Sequence, residues 1–303
     1  MINQKNKVNT MLNKIINICL SLVFLIILNL FGSINLQAEG QQSQIRIVTL
    51  GGTITETIYA IGAGNMIVGT DVSSIYPAEA NKLPKVGYWR RLSPEGVLSL
   101  KPTHVIATYD AGPPDVLAQF EKAGVKVVKL PAVFTFEQVK SNINLIAKSI
   151  GKDKEAITIN NNLDKDYKAI SSNIKKLATK PNALFLYLRN GKILDAGGKN
   201  TPADGMISIA GGNNIASSLD GWKTVTSEFF LTSQPDVIIV TKSGLESAGG
   251  LDALKNIPGL SATPAVKSNN ILVLDDIAFL GFGPRFCESL SETVKAFSKV
   301  KKK

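Results

Sequence analysis

The side chains best suited to chemistry in this 303-residue chain stand together in Val86-Gly-Tyr88-Trp-Arg90-Arg91-Leu92. A phenol ionises near ~10, but a neighbouring guanidinium and a bound ferric ion both favour the phenolate, which is a strong ligand for ferric iron. Tyrosine can serve as an axial ligand of haem iron, and arginines can pair with the carboxylates of such a ligand. The competing reading is an aromatic that packs over a loop beside a glycine. Two consecutive arginines argue against a purely packing tyrosine, so Tyr88, Arg90 and Arg91 are the candidate binding residues.

Other chemistries are poorly supplied. The chain has one histidine and two cysteines, so a zinc or copper site built on imidazole and thiolate is not expected. His104 stands one residue before an apolar strand and reads as a strand-edge residue. Gly51-Gly52-Thr53 at a helix start could hold an anion through free backbone donors. Without a phosphate-loop lysine or a full glycine fingerprint, it reads as a strand-to-helix turn.

What must position Tyr88 is visible in a unit that occurs twice. Ser93-Pro-Glu95-Gly-Val-Leu98-Ser-Leu-Lys-Pro102-Thr-His104-Val-Ile-Ala-Thr108 has a counterpart in Thr226-Ser-Glu228-Phe-Phe-Leu231-Thr-Ser-Gln-Pro235-Asp-Val-Ile-Ile-Val-Thr241. Each reads as a short helix, a proline break and a buried strand. The copies are too far apart for a solenoid repeat, so they imply two similar lobes with a cleft between them, and the Tyr88 loop is placed at its mouth. Glu95 and Glu228 occupy the same place on the first helical turn of each copy. Helix-dipole compensation accounts for each alone; together they would form a symmetric docking face for a partner carrying arginines.

Short apolar runs over 45–50, 67–70, 105–108, 125–130, 183–188, 237–241 and 271–274 read as strands, separated by helical stretches such as 114–123. Thr53-Ile-Thr-Glu56 reads as a capping box opening a helix that runs to Ile61. Between the lobes, Leu163, Tyr167, Ile170, Ile174 and Leu177 form one helical stripe in an otherwise polar 152–179, which is a single stiff connector. The fold class is therefore α/β, with two Rossmann-like lobes over residues 39–151 and 181–303 joined by one long helix within 152–180.

Residues 1–38 read as a secretory signal, with Lys5, Lys7 and Lys14, an apolar run over 15–31, and cleavage after Ala38. Cys19 follows Asn17 and Ile18 rather than small residues, so no lipid anchor is expected. Removing the signal leaves Cys287 as the sole cysteine and thus no internal disulfide. The formal charge of +10 falls with the three signal lysines. Much of the remainder sits in Lys299–Lys303, a solvated end and not a nucleic-acid arm.

Asp71-Val-Ser-Ser-Ile-Tyr76-Pro77, Leu83-Pro-Lys-Val-Gly-Tyr88-Trp-Arg90, Ala111-Gly-Pro-Pro114, Ala210-Gly-Gly-Asn-Asn214 and Gly281-Phe-Gly-Pro-Arg285 resemble the periplasmic haem-binding proteins of bacterial haem ABC importers. The wider superfamily also serves cobalamin and ferric siderophores. The resemblance implies that Tyr88 ligates ferric haem iron, that Arg90 supports it, and that Lys242 fills a basic ligand-side position, although a lysine cannot copy a bidentate guanidinium. Some members add a second-lobe histidine; the corresponding stretch here holds Tyr187, Arg189, Asn190 and Lys192, which implies five-coordinate haem. It further implies that Glu95 and Glu228 meet arginines of an inner-membrane permease with its ATPase. An outer-membrane haem receptor would stand upstream, and the carrier would act as a periplasmic monomer without nucleic acid.

The alternatives are a cobalamin or ferric-siderophore carrier of the same fold, or an enzyme such as a tetrapyrrole chelatase. Cobalamin has no use for a phenolate, and catecholate siderophores need cationic walls more than a tyrosine. A chelatase would be expected to offer histidine and acid at the metal, and only His104 is available.

Overall fold

The computed structural model describes Met11 and residues 44–189 and 193–301. Residues 1–38, read as an export signal, lie outside the described residues apart from Met11, as do positions 39–43, 190–192 and the last two lysines. Two sheets carry the architecture, one all parallel and one mixed. The first is ordered β2-β1-β5-β6, with β1 Ile47–Leu50, β2 Ile67–Thr70, β5 His104–Ala107 and β6 Lys126–Lys129 all parallel. A separate hairpin, β3 Gly87–Tyr88 with β4 Arg91–Leu92, lies between β2 and β5 in the chain.

The second sheet is ordered β10-β8-β7-β11-β12. Its parallel part is β7 Asn182–Arg189, β11 Val237–Thr241 and β12 Ile271–Leu274. β8 Ile193–Gly197 and β10 Trp222–Thr224 extend it antiparallel, and β9 Asn213–Asn214 pairs with β7. Every residue of β1 and β11 is buried, as a parallel strand covered by helices on both faces requires. Successive side chains point to opposite faces: Ile106 and Ile239 enter a central core, while Val105 and Val240 enter two outer ones.

That central core explains how the lobes hold together. It runs from Ile54 and Ile58 of the first lobe through Leu163 and Ile170 to Phe185, Phe279 and Phe286 of the second, so residues 45–303 form one compact unit. The connector is the helix Asp153–Ile174, shorter at its C-terminal end than the sequence suggested. At 1.5 Å per residue it spans about 33 Å. It packs on Phe136–Ser149 of the first lobe and Phe286–Ser298 of the second, with Lys140 Nζ 2.8 Å from Asp164 Oδ1. The Cys287 thiol approaches the Leu163 carbonyl at 3.6 Å; burial pushes its pKa up to about 12, as suits a packing residue.

The correspondence of the repeats extends to the backbone. Lys101 and Gln234, each just before the proline of its unit, both adopt left-handed φ, 48° and 44°. The short helices are Pro94–Leu98 and Ser227–Ser233.

One expectation at the first helix fails. Gly52–Ala60 starts a residue before Thr53 and is capped by Gly51 without any side-chain hydrogen bond, so Thr53 and Glu56 do not form a capping box. Glu56 instead faces inward, buried, and pairs with Arg285 of the second lobe. The Gly281 backbone comes close to the Thr53 side chain here: a methyl group on Gly281 would overlap Thr53 Oγ1, as well as the Ile277 carbonyl of its own lobe.

Candidate functional site

In open α/β sheets, ligands gather where strand order reverses, outside the carboxyl ends of the strands. In the first sheet that point lies between β1 and β5, since β1 pairs with β2 on one side and β5 on the other. Gly51 directly follows β1 there, beside Thr108, which directly follows β5. Gly51, at φ 131°, gives its N–H to Asp71 Oδ1 at 2.9 Å. The buried Asp71 also accepts from the Ser73 N–H at 2.8 Å and the Ser74 hydroxyl at 2.7 Å. The glycine turn therefore spends this donor internally and builds the adjacent loop, which exposes Val72 and Ile75.

The segment around Tyr88, read as a loop, is a hairpin. Tyr88 pairs with Arg91 and Gly87 with Leu92 across a two-residue turn, Trp89-Arg90. Strands this short hold little on their own, and their support is tertiary. Val86 and Leu92 are buried in the outer core. The backbone is clamped on both sides: Gly112 N–H donates to the Trp89 carbonyl at 2.9 Å, Leu92 N–H to that of Gly112 at 3.3 Å, and Val72 N–H to that of Gly87 at 2.9 Å. Tyr88 thus stands 36% exposed on a fixed support.

Its hydroxyl oxygen accepts from Arg90 Nη1 at 2.8 Å. Arg90 in turn is tied to Asp110, which accepts from Nε on Oδ2 at 2.8 Å and from Nη2 on the same oxygen. The other carboxylate oxygen takes the Trp89 indole N–H at 3.1 Å. Trp89 packs against the Tyr88 ring with centroids 4.2 Å apart, and the guanidinium sits 5.2 Å from the Trp89 ring centre. Burial opposes the charge on Arg90, yet the hydrogen bonds and negative charge of Asp110 hold its pKa above the ordinary value. A fixed cation donating to a phenol oxygen stabilises negative charge on that oxygen and leaves a lone pair of the oxygen for an electrophile.

Arg91 occupies the facing strand position, exposed, and none of the described hydrogen bonds or ion pairs uses it. Sequence reading missed Asp110. The available signal was its place: Tyr109-Asp110 directly follows β5 and Thr108, at the carboxyl end of a strand beside the switch point. Tyr109 is itself 43% exposed there, and burial, followed by the charge of Asp110, holds its phenol pKa above the ordinary value. His104 lies in β5 itself, with Nδ1 2.9 Å from Thr103 Oγ1.

In the second lobe, Lys242 is the exposed first residue of the helix Lys242–Ser247 at the carboxyl end of β11. No described hydrogen bond or ion pair joins it to the hairpin. Tyr187 is half-buried against Trp222, with ring centroids 5.8 Å apart; Asn190 and Lys192 lie outside the described residues. Glu95 and Glu228 are exposed on the first turns of their short helices. The Ser93 hydroxyl reaches Glu95 Oε2 at 2.6 Å and holds that carboxyl below its ordinary pKa. The structure thus joins Tyr88, Trp89, Arg90 and Asp110 in one cluster and leaves Arg91, Lys242, Glu95 and Glu228 outside it.

Residues 47–278 match the periplasmic binding protein family. The chain belongs to that family. It is a substrate-binding transport protein and not an enzyme. The apo structure of the periplasmic haem-binding protein RhuT from Roseiflexus sp. RS-1 is similar at a TM-score of 0.80 and 39% identity, over 84% of this chain and 98% of that one. An uncharacterised ABC transporter substrate-binding lipoprotein of Bacillus subtilis, YvrC, is 28% identical over 83% of this chain and 79% of its own. The vitamin B12-binding protein of Vibrio parahaemolyticus is 25% identical over 85% of this chain and 91% of its own.

Proposed function

We propose that this protein is a periplasmic carrier that binds ferric haem and delivers it to an inner-membrane ABC permease and its ATPase. The observation that carries this reading is the Tyr88 hydroxyl held 2.8 Å from Arg90 Nη1 on an exposed, clamped hairpin. In the proposed complex Tyr88 is the axial ligand through its phenolate oxygen, Arg90 stabilises the charge on that oxygen, and Val72, Ile75 and Tyr109 present apolar surface to the porphyrin. Arg91 and Lys242 are the cations available to the carboxylates, and Glu95 and Glu228 dock the permease. Residues 1–38, read as an export signal, support a location outside the cytoplasm, where the carrier works as a monomer supplied by an outer-membrane receptor.

The likeness to a haem-binding structure at 39% identity supports haem. Cobalamin is the second reading, because sequence relatives carry the name vitamin B12-binding protein. One titration separates the two. Mature protein mixed with haemin should give a high-spin ferric spectrum with a phenolate-to-iron charge-transfer band, and mixed with cyanocobalamin no retained ligand. Tyr88→Phe keeps the ring, deletes the oxygen and should abolish the band with the fold intact. A low-spin bis-nitrogen spectrum would overturn the ligand assignment, and retention of cobalamin alone would replace haem as the cargo.

A further inference from the structure

Tyr88 and Arg90 explain a ligand and its supporting cation, but not why the cation stays in place. Arg90 occupies the turn of a two-residue hairpin, and its side chain is 49% exposed. A long arginine side chain there loses rotamer freedom on being fixed. One exposed hydrogen bond, from Nη1 to the Tyr88 oxygen, leaves Nε and Nη2 unrestrained and the side chain free to turn. The missing restraint is Asp110, whose side chain is only 21% exposed. It sits beyond the carboxyl end of β5, on a segment clamped by Ala111 N–H to the Thr108 carbonyl at 3.0 Å and by Gly112 N–H to that of Trp89 at 2.9 Å.

We infer that Asp110 is a positioning residue for ligand binding: it gathers Nε and Nη2 of Arg90 on one oxygen and the Trp89 indole N–H on the other, so that Nη1 alone is left aimed at the Tyr88 oxygen. Asp110 does not touch the ligand. It acts through Arg90, and by holding Trp89 it also fixes the aromatic face on which Tyr88 leans. A carboxylate two atoms removed also offsets part of the guanidinium charge. Orientation wins over that offset, because a hydrogen bond weakens steeply with angle whereas solvent screens the charge of a half-exposed pair. This inference rests on the haem reading for its consequence but not for its geometry, and its tests divide accordingly.

The first measurement needs no haem. In the apo protein the Arg90 Nε–H should give a slowly exchanging nitrogen–proton NMR signal, assigned by its disappearance in Arg90→Lys. Asp110→Ala should broaden or remove that signal while amide shifts remote from the hairpin stay put. Asp110→Asn, which keeps acceptor oxygen without charge, should retain part of it. An unchanged signal in Asp110→Ala overturns the inference even if the protein never binds haem.

The second measurement reads the consequence. Transfer of haem to apo-myoglobin should be roughly tenfold faster for Asp110→Ala, similar to Arg90→Ala, and no faster in the double variant. The charge-transfer band should shift in the same direction in all three. Additive losses would show that Asp110 acts independently of Arg90 and would overturn the inference. A wild type that binds no haemin at all would defeat the haem reading, and the NMR measurement would still decide the role of Asp110.

Discussion

Glu56 and Arg285, far apart in the chain, meet in a two-point ion pair, Nε to Oε1 at 3.0 Å and Nη2 to Oε2 at 2.8 Å. Glu56 lies on the first helix of lobe one and Arg285 just before the last helix of lobe two, so the pair fastens the lobes independently of the connector. Arg285 also reaches Asp275 Oδ1 at 3.1 Å and stacks 3.8 Å from the centre of the Tyr76 ring. Burial holds the Glu56 carboxyl above its ordinary pKa even though Arg285 pulls it down. A buried pair of this kind is weak evidence for net stability but costly to break from one side.

Arg285→Ala should therefore cost about 3 kcal/mol at pH 7, measured by urea unfolding, while Glu56→Gln with Arg285→Met should cost less than that single change. Without its cation, Glu56 is a carboxyl whose folded pKa is raised further above the unfolded value. Such a group contributes stability below the unfolded value, near 4.5, and loses it as pH rises through the folded one. The Arg285→Ala deficit should accordingly shrink when pH is lowered from 7 to 5. A deficit that grows on acidification would contradict this account.

The two arginines of the hairpin should differ. Arg90→Ala removes the donor 2.8 Å from the Tyr88 oxygen, and haem should be lost to apo-myoglobin roughly tenfold faster. Arg91→Ala removes an exposed cation without described partners, and the change should stay within about threefold. Equal losses would show that the Arg91 contact with the carboxylates retains haem as strongly as the Arg90 donor to Tyr88 does.

His104 supplies a pH dependence unrelated to the site. Burial, then the nearby Lys126, lowers its pKa below 6.5, against a hydrogen bond at Ser149 that raises it. The folded protein therefore holds the imidazole neutral while the unfolded chain takes up a proton. Its contribution is present above the unfolded pKa and is lost as pH falls through the folded one. Wild-type stability should decline in this window below pH 6.5, and His104→Gln should flatten the decline. Identical slopes would assign it to other groups.

Elements set by local pattern were readable from the chain. β11 and β12 follow unbroken apolar runs bounded by turn residues, and the connector's stripe at 163, 167, 170, 174 and 177 faces the core as spaced. The hairpin was not readable, because two-residue strands have no period to detect and are held by Gly112 and Val72 from elsewhere. Asp110 was missed because its meaning depends on a guanidinium 20 positions away. Glu56 was misread for a related reason: Thr53-x-x-Glu56 satisfies a local capping pattern, but Gly51 starts the helix early and turns Glu56 toward a partner 229 positions on. Local spacing thus specified the scaffold, while the polar clusters depend on tertiary contact.

Glu95 and Glu228 test whether the repeated unit has a purpose beyond folding. Both are exposed on equivalent helical turns, and Glu95 is already kept ionised by the Ser93 hydroxyl. If they are docking acids, Glu95→Ala and Glu228→Ala should leave the haem spectrum and the Tm nearly unchanged. Each should nevertheless slow haem delivery to reconstituted transporter, and the double variant should slow it more. Exposed charges act mainly through steering and registry, so added salt should reproduce the defect in the wild type and have less effect on the double variant. Stimulated ATPase activity and haem uptake in proteoliposomes are the readouts. Wild-type transport by the double variant would return both residues to a helix-dipole role, with the repeated unit left as a property of the fold alone.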